Sequence, residues 1–138
     1  MGEDKKDVWA KLGADVEKYK QDFITPGDIH MLLKWQADTQ NAMKEGVGAG
    51  VFESDKMRTH TLAAIAELIE ALEWTSWKPW KRPTAMTENQ LGNAKFEIID
   101  ALCFIFNIWR MLGGTPSELM AMYYLKSREN VERQQKGY

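Results

Sequence analysis

The sequence predicts an all-α fold, a helical bundle of about five helices, and three observations lead there. Apolar residues recur at three- and four-residue spacing through most of the chain. Helix starts and stops punctuate it repeatedly, while two-residue apolar alternation, the mark of a half-buried strand, is scarce. The third and fourth helical segments are the most apolar and belong at the centre of the bundle. Such long apolar faces in 138 residues imply a core completed by oligomerisation, as a dimer or tetramer.

Each element follows from its own residues. About Asp4 to Phe23 forms a polar amphipathic segment with Val8, Leu12, Val16 and Tyr19 at helical spacing, a peripheral N-terminal helix within residues 1–25. The TPGD stretch at Thr25–Asp28 breaks it. A second helix runs from about Ile29 to Lys44 and ends in the glycine-rich EGVGAGVF, read as a flexible connection. Ser54 is a natural N-cap for a third helix through about Trp74. Thr75–Ala85 holds two prolines and reads as loop. Thr87 with Gln90 makes a capping box for a fourth helix that reaches Leu112 before Gly113–Gly114. Thr115, Pro116 and Glu118 start the fifth.

Length and composition bound the function. The chain suffices for one domain, 1–138, with a real core. A net charge of −2, from 18 basic and 20 acidic residues, argues against nucleic acid as a partner. The single Cys103 excludes an internal disulfide and fits a reducing compartment. No apolar run approaches the roughly 20 residues of a membrane span, and MGEDKKDVWAKLG lacks a signal-peptide core. The expectation is a soluble, cytoplasmic protein.

Two acidic pairs stand out because of their surroundings. Glu67 and Glu70 lie in TLAAIAELIEALEW, and Glu97 and Asp100 in KFEIIDALCFIFNIW. An i, i+3 pair projects from one helix face, and carboxylates among Ala, Leu, Ile and Phe are costly to desolvate unless a cation meets them. Brought together, the two faces offer four oxygen-bearing groups, which suits Mg²⁺, with Mn²⁺ as its substitute. A ferritin-like iron site needs Glu-x-x-His pairs, and His30 and His60 lie in neither motif. The competing reading makes these acids the polar stripes of two amphipathic helices, bridged to lysines.

Basic and aromatic residues flank the acids. WTSWKPWKRP places Trp77, Lys78, Trp80, Lys81 and Arg82 between the two acidic helices, suited to a polyphosphate and a stacked base, or simply to a loop anchored by its tryptophans. In the tail, Lys126, Asn130 and Arg133 share a helix face at i, i+4 and i+7. That face suits phosphates, or merely a basic helix C-terminus. GVGAG at Gly46–Gly50 lacks the Lys of a phosphate-binding loop.

Taken in order, Glu67-x-x-Glu70, WKPWK at Trp77–Lys81, Asn93-x-x-x-Glu97-x-x-Asp100 and the closing K-x-x-x-N-x-x-R-Q-x-x-G-Y from Lys126 to Tyr138 resemble the all-α nucleoside triphosphate pyrophosphohydrolases. The tail and the Trp-Lys loop resemble those of dimeric dUTPases and their compact phage relatives, and MazG-like enzymes share the acidic motifs. The resemblance covers roughly residues 30–138. It implies Mg²⁺ held by Glu67, Glu70, Glu97 and Asp100, with Glu70 orienting the attacking water. A nucleoside triphosphate would be cleaved between its α and β phosphates, giving a monophosphate and pyrophosphate. Asn93, Lys78 and Lys81 would face the nucleotide or loop, and Lys126, Asn130, Arg133 and Tyr138 the phosphates and sugar; Trp77, read from the loop alone, is the candidate to stack on the base. If the source is viral, the place is the host cytoplasm.

The resemblance leaves the base open. Dimeric dUTPases carry Gln-x-x-Leu-Asn in an early helix that reads uracil; here the matching stretch is Gln36-Ala-Asp-Thr39-Gln40, with Gln in place of Asn. Cys103 stands where a histidine is common. A pocket that hydrogen-bonds a base edge discriminates strongly, so dUTP is the first expectation and a purine such as dGTP its competitor. A non-enzymatic helical interaction module is the alternative from another class. A cation-dependent nuclease is disfavoured, because no sustained basic stripe suits a long polyanion.

Overall fold

Five α-helices and no strand make up the described residues, 7–20, 22 and 28–137 of a computed structural model. They are α1 (Val8–Lys20), α2 (Ile29–Ala42), α3 (Ser54–Glu73), α4 (Glu88–Met111) and α5 (Pro116–Gln135). The expected helix ends at Asp4 and Phe23, most of the TPGD break, and Tyr138 lie outside the described residues. No helix among the described residues is long and apolar enough to cross a membrane.

Local chemistry sets the helix ends. Asp28 accepts from Met31 N at 3.3 Å and caps α2. The capping box before α4 forms as expected: Gln90 N donates to Thr87 Oγ1 at 3.1 Å and Thr87 N to Gln90 Oε1 at 2.9 Å. Thr115 and Glu118 do the same for α5, with Pro116 in the first turn. Gly113, at φ +80, stops α4 in the left-handed region, where its N–H and that of Gly114 satisfy the carbonyls of Arg110 and Trp109. Ser54 is not the N-cap expected for α3; the first turn already closes on Glu53, whose carbonyl accepts from Met57 N at 2.9 Å.

The chain divides into two compact units, Met1–Gly27 with Arg58–Ile105, and Asp28–Met57 with Phe106–Tyr138. In the first, α3 and α4 run antiparallel, since His60 meets Phe104 at one end while Glu67 and Glu70 face Glu97 further along. Among the described residues, the buried apolar side chains of this unit are alanines, Ala64 and Ala71 on α3 and Ala94 and Ala101 on α4. Each pair is seven apart, so small side chains line one stripe per helix. Helix α1 is tied to α4 by Asp7, which accepts from Asn93 Nδ2 at 2.8 Å and Asn89 Nδ2 at 2.9 Å. Trp9 N donates to Asn93 Oδ1, and the indole lies so close over Gly92 that no Cβ would fit there.

In the second unit α2 packs against α5, and Leu33, Val47 and Met111 are the buried apolar side chains among the described residues. The glycine-rich segment after α2 is not the flexible connection its composition suggested. Val47 is buried, so both its backbone groups need partners. Gln40 Oε1 accepts from its N–H at 2.9 Å, and Arg110 Nη1 donates to its carbonyl at 3.2 Å. Gly50 N bonds the Arg110 carbonyl at 2.8 Å. Gln36 adds a buried bond to Asn107 Oδ1 at 2.9 Å.

Candidate metal centre

The alanine stripes explain where the acids fall. Glu67 lies between Ala64 and Ala71, and Glu97 between Ala94 and Ala101, each at the three- and four-residue spacing that keeps it on the close-packed side. Small neighbours let the helices approach and draw the two carboxylates together. One oxygen from each of Glu67, Glu70 and Glu97 lies within 4.8 Å of the others, and all three residues are half-buried.

Three ionisable carboxyls so close cannot all carry charge cheaply. The Glu67 carboxyl is pushed up to about 8, first by burial, then by hydrogen bonding to Glu97 and by the nearby Glu70 charge. Glu70 is raised as well, by burial and then by its hydrogen bond to Glu97. A hydrogen bond between two carboxyls requires one of them to keep its proton. Glu67 Oε2 is buried and receives no hydrogen bond from the described residues. No Lys or Arg among the described residues pairs with any of the three acids, so the lysine-bridged stripe has no support in the geometry. An orphaned carboxylate oxygen beside two further acids, with no Lys or Arg among the described residues against them, fits a hard divalent ion.

The other expected site residues are distributed as follows. Asp100 is exposed on α4 one turn beyond Glu97, outside the three-acid set; with burial, its charge raises the Cys103 thiol. Asn93 is 1% exposed, and its amide is occupied by Asp7, Trp9 and Asn89. Gln36 and Gln40 are buried in the second unit, bonded to Asn107 and to Val47. Lys126, Asn130 and Arg133 are exposed on α5, where Glu129 pairs with Lys126 and Arg133, both at 3.0 Å. These ion pairs hold the Glu129 carboxyl below its usual range.

The loop after α3 is shaped, not slack. Ser76 Oγ accepts from Thr84 N at 3.1 Å and closes the segment on itself. Lys81 N bonds the Lys78 carbonyl at 3.1 Å, a turn with Pro79 at its second position, and Trp77 meets Trp80 edge-on at 5.9 Å. A groove of about 770 Å³ opens here, lined by Trp77, Lys78, Lys81 and Arg82 with Glu73 and Gln90. None of the three clustered acids lines it. Arg82 joins Lys78 and Lys81 as a third cation; its place in the Trp-Lys segment was the signal available for it. Arg110 gave no such signal, being one basic residue at the end of an apolar run.

Comparison with known proteins finds partial similarity of the chain to two phage proteins named as dCTP pyrophosphatases. It is 38% identical over 58 residues to the dCTP pyrophosphatase of Enterobacteria phage T4, a match covering 42% of this chain and 34% of that protein. It is 45% identical over 51 residues to the dCTP pyrophosphatase of Enterobacteria phage LZ5, covering 37% and 29%. The chain thus spans about a third of the length of the curated relatives it matches. No family model matches it, nor does any solved structure. Similarity to two pyrophosphatases agrees with the resemblance read from the acidic motifs and the tail.

Proposed function

We propose that the chain is a divalent-cation-dependent nucleoside triphosphate pyrophosphohydrolase that converts a deoxynucleoside triphosphate to its monophosphate and pyrophosphate. The observation that carries this reading is the meeting of Glu67, Glu70 and Glu97 with no Lys or Arg among the described residues paired to them. Those three residues would hold the cation, Mg²⁺ or Mn²⁺, and Asp100 would be the further ligand that the resemblance implies. When bound, the cation supplies charge stabilisation to the phosphoryl oxygens undergoing displacement.

The chain's own side chains supply the rest. Glu70 orients the water for in-line attack at the α-phosphorus. Lys78 and Lys81, with Arg82, offset the polyphosphate charge, and Trp77 gives a face for stacking. Rate acceleration rests on positioning and preorganised charge, with no covalent intermediate. Lys126, Asn130, Arg133 and Tyr138 belong to the phosphate and sugar contacts by resemblance, and Gln36 and Gln40 to base reading. Asn93 acts chiefly by holding α1 on α4. The working form is a homo-oligomer, in the host cytoplasm if the source is a phage.

For the base, dUTP is the sequence-led choice, and the names of the phage relatives favour dCTP. Both are pyrimidines, which sets them above dGTP. Incubating the protein with dUTP, dCTP, dTTP, dGTP and dATP plus Mg²⁺ is expected to release pyrophosphate fastest from dUTP or dCTP. No pyrophosphate from any of the five would defeat the assignment.

A further inference from the structure

Helix α1 is held on α4 by contacts of the kind a bound anion makes. Two amide donors on α4, Asn89 Nδ2 at 2.9 Å and Asn93 Nδ2 at 2.8 Å, converge on one oxygen, Asp7 Oδ1. Asn93 Oδ1 takes the Trp9 N–H at 2.9 Å, and the Trp9 indole lies against Gly92 and tilts across Phe96 at 6.3 Å. Asn89, Gly92, Asn93 and Phe96 fall at i, i+3, i+4 and i+7, so they form one stripe of α4. The acidic cluster is its neighbour: Glu97 follows Asn93 by four residues, roughly 6 Å away on the same side of the helix.

We propose that the Asn89–Asn93 amide pair is a subsite for a phosphate oxygen of the nucleotide, and that Asp7 fills it in the free protein, which makes α1 an internal competitor of the substrate. The inference rests on the nucleotide reading of the acidic cluster. A carboxylate oxygen stands in here for a phosphate oxygen, since both are anionic acceptors of charge-assisted N–H bonds. The two anions cannot share the pair, because the second amide hydrogen of Asn93 is engaged by the Asn89 carbonyl at 3.0 Å. Helix α1 is also poorly anchored. Among its described side chains only Gly13 is buried, Asp7 before it is exposed, and 13 residues make a marginal helix in water on their own. Such an element belongs to the part of a fold that opens at low cost.

Asp7→Asn separates charge from structure, because Asn caps a helix as well as Asp and still accepts from Ala10 N. With the charge gone, KM for the deoxynucleotide is expected to fall by up to about fivefold at unchanged kcat, the margin of a charge-assisted over a neutral hydrogen bond. A second readout needs no hydrolysis. The Trp9 N–H lies in the first turn of α1, where no partner exists within the helix, so its bond to Asn93 is what protects it from hydrogen exchange. Saturating inorganic tripolyphosphate with Mg²⁺ is expected to speed that exchange about tenfold. Finally, in an Asp7→Cys, Asn89→Cys, Cys103→Ser chain, joining the two thiols with a disulfide-containing bismaleimide is expected to suppress hydrolysis, and reducing the spacer to restore it. Trp9 exchange indifferent to tripolyphosphate, a joined chain as fast as the cleaved one, or an unchanged or raised KM in Asp7→Asn overturns the inference. If no chain hydrolyses any deoxynucleotide while tripolyphosphate still frees Trp9, the hydrolase reading fails and the subsite stands.

Discussion

Replacing Glu67 by Gln is expected to cut nucleotide hydrolysis by at least a hundredfold while leaving the helices folded. Glu67 is the most perturbed member of the acidic cluster, and its Oε2 is the buried oxygen with no donor. Gln keeps the shape, removes the charge and places an amide where a cation would sit. Losses of about 10²–10³ accompany removal of a single preorganised electrostatic group. The same change should not harm the metal-free fold, because it deletes one of three crowded carboxylates. The expected result is therefore paired: kcat falls, and the metal-free melting temperature at pH 8 holds or rises. Had the acids served only as structure, Glu67→Gln would instead lower the melting temperature and leave any hydrolysis in proportion to the folded fraction.

The second large effect links pH, metal and stability. Glu67 titrates near 4.5 when unfolded and at about 8 when folded. A raised folded value means that its favourable contribution is complete below about pH 4.5 and is lost as pH climbs through about 8. Glu70 is shifted the same way. The metal-free protein is thus expected to lose melting temperature steadily between pH 5 and 9. A bound cation favours the ionised acids, so Mg²⁺ should restore more stability at pH 8.5 than at pH 6. At a hundred times its dissociation constant a ligand adds about 2.7 kcal/mol, which for a chain of this size is roughly 10 °C. Scanning calorimetry across that pH range with EDTA or Mg²⁺ checks this. A melting temperature indifferent to both pH and Mg²⁺ would count against the cluster as a cation site.

Much of this architecture was legible because local rules carry it. Thr87 with Gln90, and Thr115 with Pro116 and Glu118, announce helix starts whose hydrogen bonds are satisfied within four residues. The acidic pairs were legible for a different reason: a carboxylate within an apolar run is a local contradiction that needs a tertiary answer. What the sequence hid depends on which helices meet. That Glu97 joins Glu67 and Glu70 depends on the alanine stripes, whose meaning appears only once α3 and α4 pack. Asn93, expected near the nucleotide, is bound to Asp7 and Trp9, partners 86 and 84 residues away. The EGVGAGVF segment read as slack because its constraint comes from Arg110, 63 residues beyond Val47. Contacts of that separation leave no periodic trace.

The convergence of the three glutamates on a cation is tested most directly by growing crystals in Mn²⁺ and measuring anomalous scattering. The account requires a peak bonded to oxygens of Glu67, Glu70 and Glu97 at about 2.1–2.2 Å, near the distance for hard divalent ions, and its disappearance in Glu67→Gln. Carboxyls hydrogen-bonded to one another or to a lysine, with no manganese between them at saturating concentration, would contradict it.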